Sequence, residues 1–162
     1  MRDFRKRTHI CFVYDKKFLT ANRKAVRQEL TGLESCSISE INGWEGIPTS
    51  QPIDLLIVDG SELPADGVIS WVERHLVDAP RNNEIIVPMI LISHRPELEE
   101  HQNFGRCLRL NWYVDLLEPS HLSSLAIRTL NALKVHDQLH ELRRMAELMN
   151  DLERRVDELE QK

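Results

Sequence analysis

The stretch IDLLIVDGSELPADG, Ile53 to Gly67, decides how the rest of the chain reads. Its apolar run, Leu55 to Val58, stops at a carboxylate, Asp59, and passes into a loop holding Pro64, Asp66 and Gly67. Successive strand residues point to opposite faces, so an unbroken apolar run implies burial on both. Such strands belong to parallel sheets covered by helices on each side. Asp59 at the strand end either caps the loop or does chemistry, and the stretch alone leaves both readings open.

Outward from this stretch, strands and helices alternate. HICFVYD, His9 to Asp15, reads as a buried strand. Phe18, Leu19, Ala21, Ala25, Val26, Leu30 and Leu33 then form a helical stripe, with Gly32 near its end. CSISEI is a short alternating strand, and NGWEGIPTSQP is turn-rich, with Pro48 limiting any helix there to about a turn. GVISWVERHLVDA is an amphipathic helix, RNNE a loop, and IIVPMILIS, Ile85 to Ser93, a further buried strand. PELEEHQNFGRCL reads as a polar helix with Pro96 in its first turn. LNWYVDLL is a last core strand, and PSHLSSLAIRTLNAL opens a helix. The expectation is an α/β fold: a five-stranded parallel sheet, doubly wound, with five helices. Sites in such sheets form at the carboxyl ends of the strands, where Asp15, Asp59, Ser93 and Asp115 fall.

The composition is that of an ordinary globular chain, 41% hydrophobic and 29% charged. A net charge of −5 gives no overall pull toward nucleic acid or an anionic membrane. The basic run Arg2 to Arg7 reads as a solvated tail. No segment approaches the roughly 20 apolar residues of a membrane span, and no secretory signal is expected, since the apolar run near the N-terminus is short and interrupted by charge. Cys11, Cys36 and Cys107 are odd in number and widely spaced, which argues for reduced thiols in a cytoplasm.

After Leu133 the pattern changes. Val135, Leu139, Leu142, Met145, Met149, Leu152, Val156 and Leu159 are spaced 4, 3, 3, 4, 3, 4, 3, and no Pro or Gly interrupts Ser120 to Lys162. The last helix should therefore run on as a coiled coil, dividing the chain into a domain over 8–133 and a helix over 134–162. Leu142, Met149 and Val156 take the a positions; Met145, Leu152 and Leu159 take d. A helix with nothing of its own to pack on needs a partner, and a parallel homodimer fits. Arg155 at g would then face Glu160 at e of the second copy. The consecutive three-residue steps at Leu139, Leu142 and Met145 are a phase slip that should overwind a supercoil locally. His136 and His140, one turn apart, could bind a metal together with a partner helix, but are expected to be solvated.

The carboxyl-end residues resemble those of response-regulator receiver domains, the CheY-like family of two-component signalling. The first strand ends in Asp15, where receivers place acids that hold Mg²⁺. DLLIVDGSELPADG resembles the family's third strand, phosphoacceptor aspartate and following loop, with Pro64 one place later than usual. VPMILIS places Ser93 at the Ser/Thr switch position, NWYVDLLEPSHL resembles the last strand and the start of the last helix, and NGWEGI stands where receivers often have a Gly-x-Glu-Ala-Leu-like run. The resemblance implies Asp59 as phosphoacceptor and Mg²⁺ on Asp15, Asp59 and a backbone carbonyl near Ser61. It makes Ser93 and Trp112 the switch residues. It also implies a histidine kinase or output-domain partner. A carboxylate can attack phosphorus, and Mg²⁺ neutralises the transferring group.

Three positions depart from the family. Tyr14 stands where a second acid is usual. Counting back from EPSHL puts the family's lysine position on Asp115, and no lysine lies between Arg81 and Asn131. A carboxylate there would repel a phosphoryl group. His94, after Ser93, is larger than the usual small residue and is expected to crowd the pocket. The expected function is a receiver-like signalling module with a weakened site, a pseudo-receiver acting through its dimeric helix. The alternatives are a conventional Mg²⁺-dependent response regulator phosphorylated on Asp59 and a constitutive dimerisation scaffold. An enzyme is not expected, since DKKF stands where a nucleotide-binding fold would carry a Gly-rich loop.

Overall fold

The computed structural model describes residues 8–15, 22–48, 52–78, 81–82, 85–94 and 114–160. Five strands form one parallel sheet: β1 (Thr8–Tyr14), β2 (Cys36–Asn42), β3 (Leu55–Asp59), β6 (Met89–Ile92) and β7 (Val114–Leu117). Their spatial order is β2-β1-β3-β6-β7, and every neighbouring pair is parallel. Two short segments, β4 (Arg81–Asn82) and β5 (Ile85–Ile86), pair antiparallel beside it. The helices are α1 (Asn22–Thr31), α2 (Ala65–Asp78) and α3 (Leu125–Glu160), with 3-10 turns at Trp44–Gly46 and Pro119–Ser124.

The apolar runs are buried on both faces, as their composition requires. One face of the sheet packs Ile10, Phe12, Leu55, Ile57, Ile90 and Ile92 against α1 and the start of α3. The other packs Cys11, Val13, Leu56, Val58, Met89 and Leu91 against α2 and Trp44. Burial pushes the Cys11 thiol up to about 12, so it is an inert core group. Along the β2 edge, Glu40 takes both Arg23 and Arg27 of α1, which hold its carboxyl below the usual range against the opposing effect of burial. A charged tie of this kind covers an edge strand that would otherwise be open to pairing.

One sequence expectation changes. The strand read over Ile85 to Ser93 is divided: Ile85–Ile86 pairs with Arg81–Asn82, and the sheet strand begins only at Met89. Pro88 has no N–H to give the ladder, although its carbonyl still accepts from Leu56 N at 2.9 Å. At NGWEGI the chain makes one 3-10 turn, with Gly43 at φ 74° and Trp44 buried. A Cβ on Gly46 would stand 2.5 Å from Ile41 Cγ2, so that turn lies hard against β2. The helix read from Phe18 is described from Asn22, and the helix expected over Pro96 to Leu108, like Trp112 and Cys107, lies outside the described residues.

The last helix is continuous over 36 residues, about 54 Å at 1.5 Å per residue. Its buried residues are Leu125, Thr129, Leu133 and His136. Beyond them Leu142, Met145, Met149, Leu152, Val156 and Leu159 are all more than half exposed, and so is Leu148, which lies outside the a and d positions. Leu139 is half-buried. The two consecutive three-residue steps therefore mark where the helix stops packing on its own domain and turns a different face outward. No described helix is long and apolar enough to cross a membrane.

Candidate functional site

The carboxyl ends of β1, β3, β6 and β7 meet at one edge of the sheet. Val13 of β1 pairs with Val58 of β3, and the next residues along are Tyr14 and Asp59. Asp59 pairs with Ile92, so Ser93 follows directly beyond it. Ser93 N–H donates to Leu117 O at 3.1 Å, which brings the residue after β7, Glu118, to the same edge. The sequence thus delivers Asp15, Asp59, Ser93 and Glu118 to consecutive strand ends.

Asp59 is buried, at 2% exposure. Its Oδ1 accepts from the Ser61 hydroxyl at 2.6 Å and from Ser61 N–H at 3.1 Å, an Asx-type turn that fixes the loop. Asn22 Nδ2 reaches both carboxylate oxygens at 3.4 Å and donates to Ser61 Oγ at 2.8 Å. Both readings of Asp59 therefore have a place: Oδ1 caps the loop, while Oδ2 has only the long Asn22 contact among the described residues. Gly60 lets the loop lie close, its N–H donating to Ile92 O at 2.8 Å. A Cβ there would meet Val68 and Leu91 at 3.2 and 3.3 Å.

Asn22 is the site residue that the sequence reading missed. An Asn opening a helix just beyond the first strand is a helix-start signal, and the helix start in this fold faces the carboxyl edge. Ser93 is buried, at 4% exposure. Asp15 is half-buried at the end of β1. Tyr14 packs into the core beside Phe12, ring centroids 5.8 Å apart, with the Arg23 guanidinium 4.7 Å from its ring centre.

The structure places Asp115 away from the strand-end group. Asp115 lies in the body of β7, paired with Ile90, and both its oxygens take Arg128 Nη1, at 2.7 and 2.9 Å. It is a partner of α3 and not a member of the carboxyl-edge group. The position before the last helical segment is Glu118, which precedes Pro119 and caps the 3-10 turn in an extended conformation. Glu118, three residues beyond Asp115, is therefore the acidic residue at the end of β7. His94 is exposed.

For Mg²⁺, Asp15, Asp59 and the Ser61 backbone carry oxygen, the donor type a hard cation takes. Among the described residues no three acidic, His or Cys side chains gather as a metal-holding group.

No family model and no curated protein matches the chain. A solved structure does: a response regulator CheY-like protein from Mesorhizobium loti, with TM-score 0.51 and 18% identity, over 81% of this chain and 99% of that one. At that identity the likeness establishes the fold. The chain folds as a receiver-like, CheY-like α/β domain with a long C-terminal helix.

Proposed function

We propose that the chain is an atypical receiver, a signal-transduction module whose carboxyl-edge site is weakened and whose output passes through a dimeric C-terminal helix. The observation that carries the reading is Glu118 at the end of β7. The phosphoryl group is an anion, and its transfer gains from a cation there, while a carboxylate opposes it. Tyr14 in place of an acid and the Asn22–Ser61 clasp on Asp59 support the same reading. Seven exposed apolar side chains from Leu142 to Leu159 support a second helix packed along the tail. A protein partner, whether a kinase or an output domain, would then be served by docking and not by phosphate chemistry.

One observation favours the conventional regulator: Asp59 Oδ2 lacks the short bonds that hold Oδ1, and Ser93 stands at the neighbouring strand end. The test separates the two. The purified chain is incubated with Mg²⁺ and a small-molecule phosphoryl donor, or with beryllofluoride, and followed by intact mass and tryptophan fluorescence. The atypical reading expects no stoichiometric adduct. A stoichiometric, Mg²⁺-dependent response that is lost in Asp59→Asn would overturn it.

A further inference from the structure

His136 and His140 lie one turn apart on α3, on the same side of the helix. The expectation that both are solvated fails. His136 is 1% exposed and is the last buried residue of the helix, and His140 is half-buried. Their Nε2 atoms are 3.2 Å apart, with ring centroids at 4.5 Å and planes at 86°. The domain fixes one imidazole, and the helix brings the second to it.

We infer that this pair is a binding site for a borderline divalent transition-metal ion, of the zinc, nickel or copper class, ligated by the two Nε2 atoms. The geometry is that of a chelate. With metal–nitrogen bonds of about 2.0–2.1 Å, a base of 3.2 Å subtends an angle of roughly 100–106° at the ion, close to tetrahedral. Nitrogen donors select this class of metal; Mg²⁺ and Ca²⁺ prefer oxygen. Coordination requires both rings to carry their hydrogen on Nδ1, so that both Nε2 lone pairs face the ion. Among the described residues no third His, Cys, Asp or Glu completes a cluster, so the pair supplies two of the ion's ligands. The ion would staple one helical turn at the point where α3 stops packing on the domain. The site does not depend on the receiver reading, since it lies on the helix and not at the carboxyl edge.

The test uses the full chain after chelator treatment, titrated calorimetrically with Zn²⁺ or Ni²⁺. Bound Cu²⁺ is examined by electron paramagnetic resonance for nitrogen ligation. One equivalent should bind, and the ¹⁵N shifts of the His136 and His140 rings should move first in the unaltered protein. His140→Gln, a half-buried position that a helix-forming residue can occupy, should weaken binding at least as much as the roughly 10–100-fold loss typical of a disturbed supporting residue. His121→Gln, an exposed histidine outside the pair, should leave binding unchanged. Equal affinity in His140→Gln, or ¹⁵N shifts confined to other histidines, would overturn the assignment.

Discussion

His75 gives this fold a built-in sensitivity to acid that can be worked out in advance. Its ring is fully buried on α2, 6.1 Å from Trp44 and edge-on to it. Neither nitrogen makes a well-formed hydrogen bond among the described residues. Burial holds its pKa down to about 4, against an ordinary 6.5, with the Val87 backbone opposing to a smaller degree. The unfolded chain therefore takes the proton more readily than the folded one. The stability linked to this group is intact above pH 6.5 and is lost as the pH falls toward 4. Each pH unit between those two values is worth about 1.4 kcal/mol, so the whole window is worth about 3 kcal/mol, of which about 2 falls between pH 7 and pH 5. His75→Leu keeps a comparable volume and removes the titration. Urea unfolding of both proteins at pH 7 and pH 5 measures the difference. With a slope of roughly 1–3 kcal/mol per molar urea, the wild-type midpoint should fall by about 1 M more than that of the variant. Acid effects from carboxylates are common to both and cancel. Equal losses in the two proteins would refute the argument that a neutral, buried His75 is the cause.

Three further outcomes are expected. Glu118→Lys should raise adduct formation from a phosphoryl donor by roughly tenfold or more, the scale of one charge-assisted hydrogen bond, while Asp115→Lys should not, as mass spectrometry would register. Gly46→Ala should destabilise by about 1–3 kcal/mol in urea titration, because its Cβ would meet Ile41 Cγ2 at 2.5 Å, and adding Ile41→Ala should recover part of the loss. Leu152→Glu, placing a charge in the exposed apolar stripe, should leave the melting temperature of the domain unchanged and convert a dimer to a monomer in sedimentation equilibrium.

The sheet was legible because its strands are apolar on both faces, and that pattern has few other causes. Leu55 to Val58 fixed β3 and, with it, the position of Asp59. Where a strand's limits depended on a single residue, the pattern was less informative. Pro88 cut the nine-residue stretch Ile85–Ser93 that periodicity alone reads as one strand. NWYVDLL carries no internal sign of where its strand stops, and counting back from EPSHL to Asp115 overshot the strand end. The sign was Pro119: proline opens a helical turn, and the residue before it is held extended, which marks Glu118 as the strand-end position. Asn22 was missed for another reason. Its role depends on contacts with Asp59 and Ser61 nearly forty residues away, and no local pattern encodes them.

The corrected register also shortens the physical path from the site to the tail. Glu118 caps the 3-10 turn Pro119–Ser124, and that turn runs into α3 with no loop between them. The backbone departs from helical values only at His121, φ −110° and ψ 21°, so any change of angle between strand end and helix is concentrated there. On either side, Leu117, Leu122 and Leu125 pack in one core cluster with Ile90 and Ile92. A close-packed cluster resists gradual deformation and favours discrete arrangements. On the proposed reading, a partner that alters the carboxyl edge acts on α3 through one kinked turn. Its effect reaches the exposed stripe along a helix that His136 anchors at the edge of the domain.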